Sequence, residues 1–345
     1  MRKIPGIQYE SQNARLPWGA LALITFSGAV LGMVFAVLAI EGSALYAFYG
    51  FRDGFLIAFL MGYYSLFLQR KLVYGAMGNW PFGARVLFNT LVYAVIFSAG
   101  RSLINLLEGH PLLPELNGRF WLSMGYALIL ALLVNFVLEV IRLIGARVAW
   151  SFIAGTYRRP REEDRYFLFI DLAHSTALAE KLGNLEFMRL LSFFFFDLGH
   201  AVSLTGGEIY KYIGDEAIIS WPRSQKKAAL LAYRCFRVFQ KRMQKREKRY
   251  RNEFSIVPEF RGGLHGGPVM TGAIGEARKE IAYLGDVVNT SARVIGVAKE
   301  LGECFVLSEL VRNDLSRYGS FDFRELGEHE IRGREGRLTL YALDS

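Results

Sequence analysis

The chain has 345 residues, 52% of them hydrophobic, and its mean hydropathy of +0.22 is high for a soluble protein. The apolar excess lies mostly before residue 145, which leaves about 190 residues, enough to bury a separate core. The two cysteines, Cys235 and Cys304, argue against a disulfide framework. The formal net charge of +9 raises nucleic acid as a partner, but the cytoplasmic flanks of membrane helices explain such an excess more simply.

Four apolar stretches in the first 143 residues predict transmembrane helices. They are 18–40, 42–68, 86–100 and 120–138. The first carries no charge over about 23 residues, which is enough to cross a hydrocarbon core of roughly 30 Å. The second is interrupted by Arg52 and Asp53, so its spanning part is predicted to begin at Gly54. The third is short, and residues 103–107 are predicted to extend it.

The positions of Lys and Arg in the short loops predict the orientation of these helices. The basic residues are concentrated before the first stretch, between the second and third, and after the fourth. Because such residues stay on the cytoplasmic side, both termini and the second half of the chain are predicted to be cytoplasmic. The chain is therefore expected to be a multi-pass protein of the cell (inner) membrane. The ionisable residues near membrane depth are predicted to lie at the interface, where long side chains snorkel; they are Arg52, Asp53, Arg101 and Glu139.

Strands and helices alternate in the second half as βαββαβ with extra elements, which is typical of an α+β, ferredoxin-like fold. The predicted strands are 166–170, 208–214, 216–221, 261–265, 305–307, 321–324 and 338–343. The predicted helices are 175–183, 185–204, 226–249 and 285–297. The helix over 226–249 has one apolar and one strongly basic face. We interpret the basic face as a solvated surface, with contact to anionic lipid headgroups as the alternative; no nucleic-acid motif accompanies it.

Three separated motifs indicate the chemistry. Asp171 ends the apolar strand in Phe-Leu-Phe-Ile-Asp-Leu, and Asp215 lies in the turn of Tyr-Ile-Gly-Asp-Glu. Two acidic residues in such positions can hold a pair of divalent cations. Asn289 and Arg293, in Asp-Val-Val-Asn-Thr-Ser-Ala-Arg, are four residues apart, which places an amide and a guanidinium on one face of a helix. Together the motifs predict a phosphoryl-transfer site that uses two metals.

The order, spacing and residue identities of these motifs resemble those of the class III nucleotide cyclase domain over roughly residues 155–345. The resemblance implies that a nucleoside triphosphate is converted into its 3′,5′-cyclic monophosphate. It implies two Mg²⁺ (or Mn²⁺) ions per active site, bound by Asp171 and Asp215. It also implies that Asn289 and Arg293 are catalytic, orienting the ribose and stabilising charge on the α-phosphate.

Two further residues match substrate-binding positions of that family. Lys211 matches the lysine that reads adenine, because an ammonium can donate to N1 of adenine, whereas N1 of guanine carries a proton. Arg332, in Ile-Arg-Gly-Arg-Glu-Gly, matches a basic residue that holds the terminal phosphates. One position departs from the family. The second base-reading residue, seven before Asn289, is Ala282 here, and its side chain offers no hydrogen bond.

The sequence is therefore interpreted as a membrane-anchored adenylate cyclase that converts ATP into cyclic AMP and pyrophosphate. Residues 1–143 are assigned to a four-helix transmembrane domain, 144–164 to a helical linker and 165–345 to the catalytic domain. The resemblance implies a homodimer in which each site takes its metal aspartates from one chain and Lys211, Asn289, Arg293 and Arg332 from the other. The expected partners are ATP, a second copy of the chain and the lipid bilayer, but not nucleic acid. The sequence does not specify the signal at the membrane.

Three other functions remain as alternatives. A guanylate cyclase is possible because Ala282 weakens the preference for adenine. A diguanylate cyclase is suggested by the hairpin around Asp215, but this chain lacks the Gly-Gly that such enzymes need before the acidic pair, and that family has no Asn289/Arg293 motif. The last alternative is a catalytically silent membrane receptor that binds a nucleotide as a signal. The near-complete set of metal, base and phosphate residues argues against it.

Overall fold

The computed structural model of the chain describes residues 18–40, 43–69, 81–109, 118–144, 155–157, 159–276, 279–330 and 337–344. The described residues fall into two compact units, divided between Ile153 and Ala154. Much of the predicted helical linker lies outside the described residues.

Within the described residues, the first unit consists of four long apolar helices. They are α1 (Trp18–Phe35), α2 (Ala44–Tyr63), α3 (Phe82–Leu107) and α4 (Gly118–Ile144). α1 and α2 each continue as a short π-helical segment, Ala36–Ile40 and Tyr64–Leu68. α1 and α2 pack so closely that a Cβ atom on Gly32 would lie 2.3 Å from the carbonyl oxygen of Gly50, an approach that small residues permit between helices. The four predicted helical stretches are confirmed as helices.

Helix α2 continues through Arg52 and Asp53, the two charged residues that interrupt the second apolar stretch, and the start of its spanning part at Gly54 stays a prediction. Their charges are compensated inside the unit. Nη1 of Arg101, on α3, lies 2.5 Å from Oδ2 of Asp53, and Nη2 of Arg52 lies 2.6 Å from Oε1 of Glu108. The four side chains line a cavity of about 1200 Å³ between the helices. Paired charges of this kind are tolerated in an apolar bundle where isolated ones are costly.

The second unit contains a mixed sheet flanked by helices. Its strands are β1 (Arg161–Leu172), β2 (Glu208–Ile213), β3 (Glu216–Pro222), β4 (Phe260–Ile274), β5 (Glu280–Leu284), β6 (Phe305–Ser308), β7 (Phe323–Glu330) and β8 (Arg337–Leu343). Its helices are α5 (Ser175–Thr205), α6 (Ala228–Phe254), α7 (Asp286–Leu301) and α8 (Glu309–Ser316). The strand order is β2-β3-β1-β4-β6-β8-β7, and β5 pairs with β4. The β2-β3-β1-β4 part is antiparallel throughout, with α5 and α6 as its crossovers, which confirms the predicted βαββαβ plan.

Strand β1 lies inside the sheet and is buried on both faces. On one face, Leu168 belongs to the cluster that contains Phe194 of α5 and Phe236 of α6. On the other face, Phe167 belongs to a cluster with Ile295 of α7. Successive residues of a strand point to opposite faces, so α7 covers the face opposite to α5 and α6.

Five helices in the described parts of the chain are long and apolar enough to cross a membrane, judged by length and composition: the four of the first unit and α5. In α5, however, Leu190, Phe194 and Leu198 are completely buried in the core of the second unit. Gly183, with φ +75°, also divides α5 into two helical parts, at the predicted boundary. We therefore regard α5 as a core helix of the second unit.

Strand β4 is much longer than the predicted strand over 261–265. It continues through Gly266, Gly267 and Pro268 because it pairs with β1 along its length, and Pro268 lies opposite Asp164. Strand β5, which follows and pairs with β4, was not predicted. The sequence signal at this place, two glycines and a proline, is typical of a turn, and the pairing with β1 overrides it.

The basic face of α6 is partly explained by a buried ion network. Asp197 of α5 is completely buried. It accepts hydrogen bonds from Nε of Arg242 at 2.7 Å and from the hydroxyl of Tyr250 at 2.8 Å, and it also pairs with Arg246. The prediction of a solvated surface is therefore wrong for Arg242 and Arg246. Buried charges need such partners, and here the two arginines attach α6 to α5.

Candidate active site

Asp171 lies next to the last residue of β1, inside the sheet of the second unit. It stands opposite Glu216 in the pairing of β1 with β3. The apolar residues that precede it fix β1 in the core, so the carboxylate is held in one place and the residue as a whole is only 5% exposed. Burial raises the pKa of Asp171, although the ion pair with Lys299 lowers it. A buried carboxylate of this kind is stabilised by a neighbouring cation.

Asp215 lies in the two-residue turn that joins β2 to β3. Gly214, which precedes it, has φ +60° and supplies the left-handed backbone that such a turn needs. The hairpin brings Asp215 close enough to Asp171 for its negative charge to raise the pKa of Asp171 further. The structure thus brings together the two residues predicted to bind metal.

Glu216 adds a third carboxylate at the same place, and it was not predicted as part of the site. Burial, together with the negative charges of Asp171 and Asp215, raises the pKa of Glu216 to about 7. We call Asp171, Asp215 and Glu216 the carboxylate cluster. Burial is the largest cause of this raised pKa, and the positive charge of Lys299 opposes it.

Lys299 of α7 contacts the carboxylate cluster, with its Nζ 3.0 Å from Oδ2 of Asp171. Among the described residues, no group of three or more Asp, Glu, His or Cys side chains is arranged as a ready metal cage. Mg²⁺ is usually held by one or two carboxylates and by substrate phosphates rather than by such a cage. Asp171 and Asp215 supply two carboxylates, which is the number of protein ligands expected for divalent cations that bind together with a nucleotide.

Lys211 lies on β2 and faces β5 rather than Asp215. Its Nζ is 3.2 Å from Oε2 of Glu280, and this hydrogen bond is the main reason that the pKa of Lys211 is raised. The pairing of β2 with β3 shifts register between Ile209 and Lys211, so a bulge lies just before the lysine. Bulges re-aim the side chains that follow them. The structure thus separates Lys211 from Asp215, although the two are four residues apart in sequence.

Helix α7 carries the predicted catalytic residues one turn apart. It begins at Asp286, directly after Gly285. Asn289 is exposed, and Nη1 of Arg293 is buried without a hydrogen-bond partner among the described residues. A buried guanidinium nitrogen without an acceptor is costly, so Arg293 is suited to bind an anionic group. Lys299 lies about 80° from Asn289 and about 120° from Arg293 around the helix.

The predicted site residues form three separate sets within one chain. Asp171 and Asp215 are together, Lys211 is with Glu280, and Asn289 lies beside Arg293 on α7. Over the residues that the structure describes, no ion pair joins Lys211 or Arg293 to either aspartate. Arg332 lies outside the described residues.

The second unit matches a known enzyme family. A sequence profile of the adenylate and guanylate cyclase catalytic domain matches residues 159–345, more than half of the chain. The chain belongs to this family. The match confirms the resemblance indicated by the three motifs, and the matched cyclase domain includes every predicted site residue.

Two proteins with similar sequences are both named adenylate cyclases. Adenylate cyclase 2 of Rhizobium meliloti (strain 1021) is 31% identical over 335 residues, which cover 91% of this chain and 90% of that protein. This similarity extends over both units. Adenylate cyclase of Anabaena cylindrica is 27% identical over 184 residues, and the alignment covers 50% of this chain and 35% of that protein.

A solved structure shares the fold. A bacterial light-regulated adenylyl cyclase matches with a TM-score of 0.53 at 20% sequence identity, over 62% of this chain and 63% of that chain. At this identity the likeness shows the fold alone. The mixed sheet and helices of the second unit are thus the fold of a cyclase catalytic domain.

Three residues near the predicted site were not found from the sequence. Glu216 follows Asp215 directly in the same turn motif. Glu280 lies two residues before Ala282 and on the same face of β5, so strand periodicity would have revealed it had β5 been predicted. Lys299 lies ten residues after Asn289, and no sequence pattern indicates that its ammonium reaches Asp171.

Proposed function

We propose that the chain is a membrane-anchored adenylate cyclase that converts ATP into 3′,5′-cyclic AMP and pyrophosphate. The family match and the adenylate cyclases among its relatives support the reaction class. The observation that carries the proposal is the meeting of Asp171 and Asp215, which lie 44 positions apart in the chain, in one carboxylate cluster.

Each predicted residue has a distinct chemical task. Asp171 and Asp215 would hold two Mg²⁺ or Mn²⁺ ions, which would supply positive charge to stabilise the negative oxygens of the reacting nucleotide. Asn289 orients the ribose by hydrogen bonds. Arg293 donates to the α-phosphate as negative charge grows there, and one such donor typically contributes about 10²–10³ in rate.

The remaining two residues bind the ends of the nucleotide. Lys211 donates a hydrogen bond to N1 of adenine. Arg332 holds the terminal phosphates, as a guanidinium does when it pairs with two phosphate oxygens. Both contacts position the substrate, so that the 3′-oxygen and the α-phosphorus are held in line for the reaction.

A homodimer would unite the separated sets of site residues. Within one chain, Lys211 is paired with Glu280, away from the carboxylate cluster. A two-fold axis would place Lys211, Asn289 and Arg293 of one protomer against Asp171 and Asp215 of its partner. Two-fold dimers are the commonest oligomers, and their symmetry would produce two equal sites.

The first unit is proposed to anchor the enzyme in the inner membrane. α1, α2, α3 and α4 are long and apolar enough to span it. The distribution of Lys and Arg supports a cytoplasmic location for both termini and the catalytic unit. The helices would hold two copies together and receive a signal from the membrane side, whose nature is unknown.

Guanylate cyclase is the second candidate, and Ala282 is the observation that favours it. At this position the side chain can neither donate to nor accept from a base. Lys211 still favours adenine, because N1 of guanine carries its own proton and has no lone pair to accept.

The test is product formation by purified full-length protein in lipid nanodiscs. ATP or GTP would be supplied with Mg²⁺ or Mn²⁺, and the cyclic nucleotides measured by mass spectrometry. We expect cyclic AMP from ATP, and no product from the Asp215→Ala variant. Cyclic GMP alone would support the guanylate alternative, and the absence of both products would overturn the proposed function.

A further inference from the structure

Lys211 and Glu280 form a solvent-exposed ion pair on the surface of the second unit. Nζ and Oε2 are 3.2 Å apart, and the side chains are 41% and 40% exposed. The strands that carry them are held together, because the rings of Tyr210 and Tyr283 pack at 4.7 Å and the backbone N–H of Tyr283 donates to the hydroxyl of Tyr210. The pair therefore has a fixed base and two accessible polar ends.

A donor and an acceptor side by side match the edge of adenine. Adenine presents a hydrogen-bond acceptor, N1, next to a donor, the 6-amino group. Guanine presents the opposite order at the same two places, because O6 accepts and N1–H donates. With the sugar and phosphates fixed elsewhere, a lysine opposite N1 and a carboxylate opposite the 6-amino group would accept adenine and oppose guanine.

We propose that Glu280 is a specificity-determining residue of the cyclase, a role that rests on the function proposed above. Its carboxylate accepts a hydrogen bond from the 6-amino group of adenine while Lys211 donates to N1. Glu280 and Ala282 lie two residues apart on β5, and alternate residues of a strand share one face. Glu280 thus supplies, one step along the strand, the polar group that Ala282 lacks.

The charges of the pair suit this task. Glu280 raises the pKa of Lys211, so the ammonium stays protonated and remains a donor. The carboxylate oxygens of Glu280 accept hydrogen bonds. A site that hydrogen-bonds the substrate rejects an analogue with the wrong pattern strongly, because its polar groups are then left unpaired.

A second ion pair of the same unit provides a matched control. Glu186 and Arg189 on α5 are 38% and 48% exposed, with 2.7 Å between Oε2 and Nη1. They lie one helical turn apart on a single helix, so their pairing is local. A general effect of removing an exposed carboxylate would appear equally in Glu186→Ala and Glu280→Ala.

The experiment compares kcat/KM for ATP and GTP in the full-length enzyme and its Glu280→Ala, Glu280→Gln and Glu186→Ala variants. We expect Glu280→Ala to lower the ATP-to-GTP ratio about 10-fold, as the loss of one hydrogen bond to a charged group predicts. Glu280→Gln should retain part of the preference, because its amide oxygen still accepts. Glu186→Ala should leave the ratio unchanged.

Two outcomes would overturn the role of Glu280. One is an unchanged ATP-to-GTP ratio in Glu280→Ala, whether kcat/KM stays the same or falls equally for both nucleotides. The other is an equal change of the ratio in Glu186→Ala. Lys211→Glu, measured in parallel, separates this inference from the proposed function. If Lys211→Glu shifts the ratio and Glu280→Ala does not, adenine recognition stands and the role of Glu280 fails. If the wild-type enzyme makes no cyclic AMP, the proposed function itself fails.

Discussion

Nζ of Lys299 lies 3.0 Å from Oδ2 of Asp171, so the carboxylate proposed to bind metal already has a cation of its own chain as its partner. The Asp171 side chain is 7% exposed and that of Lys299 is 44% exposed, which places the lysine on the solvent side of the pair. An ammonium and a divalent cation repel each other at one carboxylate. Metal binding at Asp171 must therefore weaken or displace the contact with Lys299.

This competition predicts the effect of Lys299→Ala. Without nucleotide, Mn²⁺ should bind more tightly to the variant than to the wild type, because a competing cation has been removed. A partly exposed ion pair contributes about 0.2–1 kcal/mol, so the gain should be at most about fivefold. Electron paramagnetic resonance of unbound Mn²⁺ would measure it. Lys299→Arg, which keeps the charge, and Lys181→Ala, an exposed lysine on α5, should both behave like the wild type. Weaker Mn²⁺ binding in Lys299→Ala would contradict this prediction.

The carboxylate cluster predicts that metal stabilises the folded enzyme. Mn²⁺ at 100 times its dissociation constant should stabilise the wild type by about 2.7 kcal/mol relative to a sample in chelator, because a ligand of the native state alone shifts unfolding by mass action. Asp171→Ala and Asp215→Ala should lose this metal-dependent rise in melting temperature and should be inactive. Both should remain folded in chelator, because each change removes charge from a repulsive cluster.

Asp322→Ala is the control for that experiment, because Asp322 is an exposed aspartate before β7. It should keep both the activity and the metal-dependent stabilisation. Near-normal activity of a folded Asp171→Ala or Asp215→Ala variant would exclude these residues as metal ligands.

The distribution of basic residues predicts the topology of the first unit. Reporter fusions after Arg15, within residues 75–78 and after Ser345 should all report a cytoplasmic location, and one near His110 should report the opposite side. Paired alkaline phosphatase and green fluorescent protein fusions would measure this, since each is active on one side only. A cytoplasmic signal near His110 would rule out four spans.

The features that the sequence predicted are each specified by residues that lie close together in the chain. Asp215 follows Gly214 between two strand patterns, and a two-residue hairpin turn is specified by such a sequence. Gly183 ends the first part of α5 where predicted, because glycine readily takes a positive φ. The prediction that Asn289 and Arg293 lie on one face of a helix follows from helical periodicity alone.

The parts that were missed depend on contacts between distant segments. Strand β4 continues past Gly267 because β1 pairs with it, and only then does β5 place Glu280 beside Lys211. In the first unit, Asp53 likewise contacts Arg101, which lies 48 residues away in the chain. Local sequence patterns do not contain such pairings, so the residues they bring together had no signal of their own.

Within one chain the site residues lie in separate sets. This separation predicts that two inactive variants regain enzymatic activity when they form a mixed dimer. Lys211 points to Glu280, while Asp215, four residues away, belongs to the carboxylate cluster. If a dimer unites the sets, the aspartates of one protomer and Arg293 of its partner form each site. In a dimer of one aspartate variant and one Arg293 variant, both changes therefore lie at the same site. The other site carries neither change.

Asp215→Ala and Arg293→Ala homodimers should each be inactive, and co-expression of the two should restore activity. With random pairing about half of the dimers are mixed and each has one intact site, so about a quarter of the wild-type activity is expected if the sites are independent. Cyclic AMP formed by co-purified, differently tagged chains would measure this. Asp215→Ala co-expressed with Asp171→Ala is the control, because both changes lie on the same side and leave every site defective. If mixed dimers form and Asp215→Ala with Arg293→Ala remains inactive, the active site is not shared between chains.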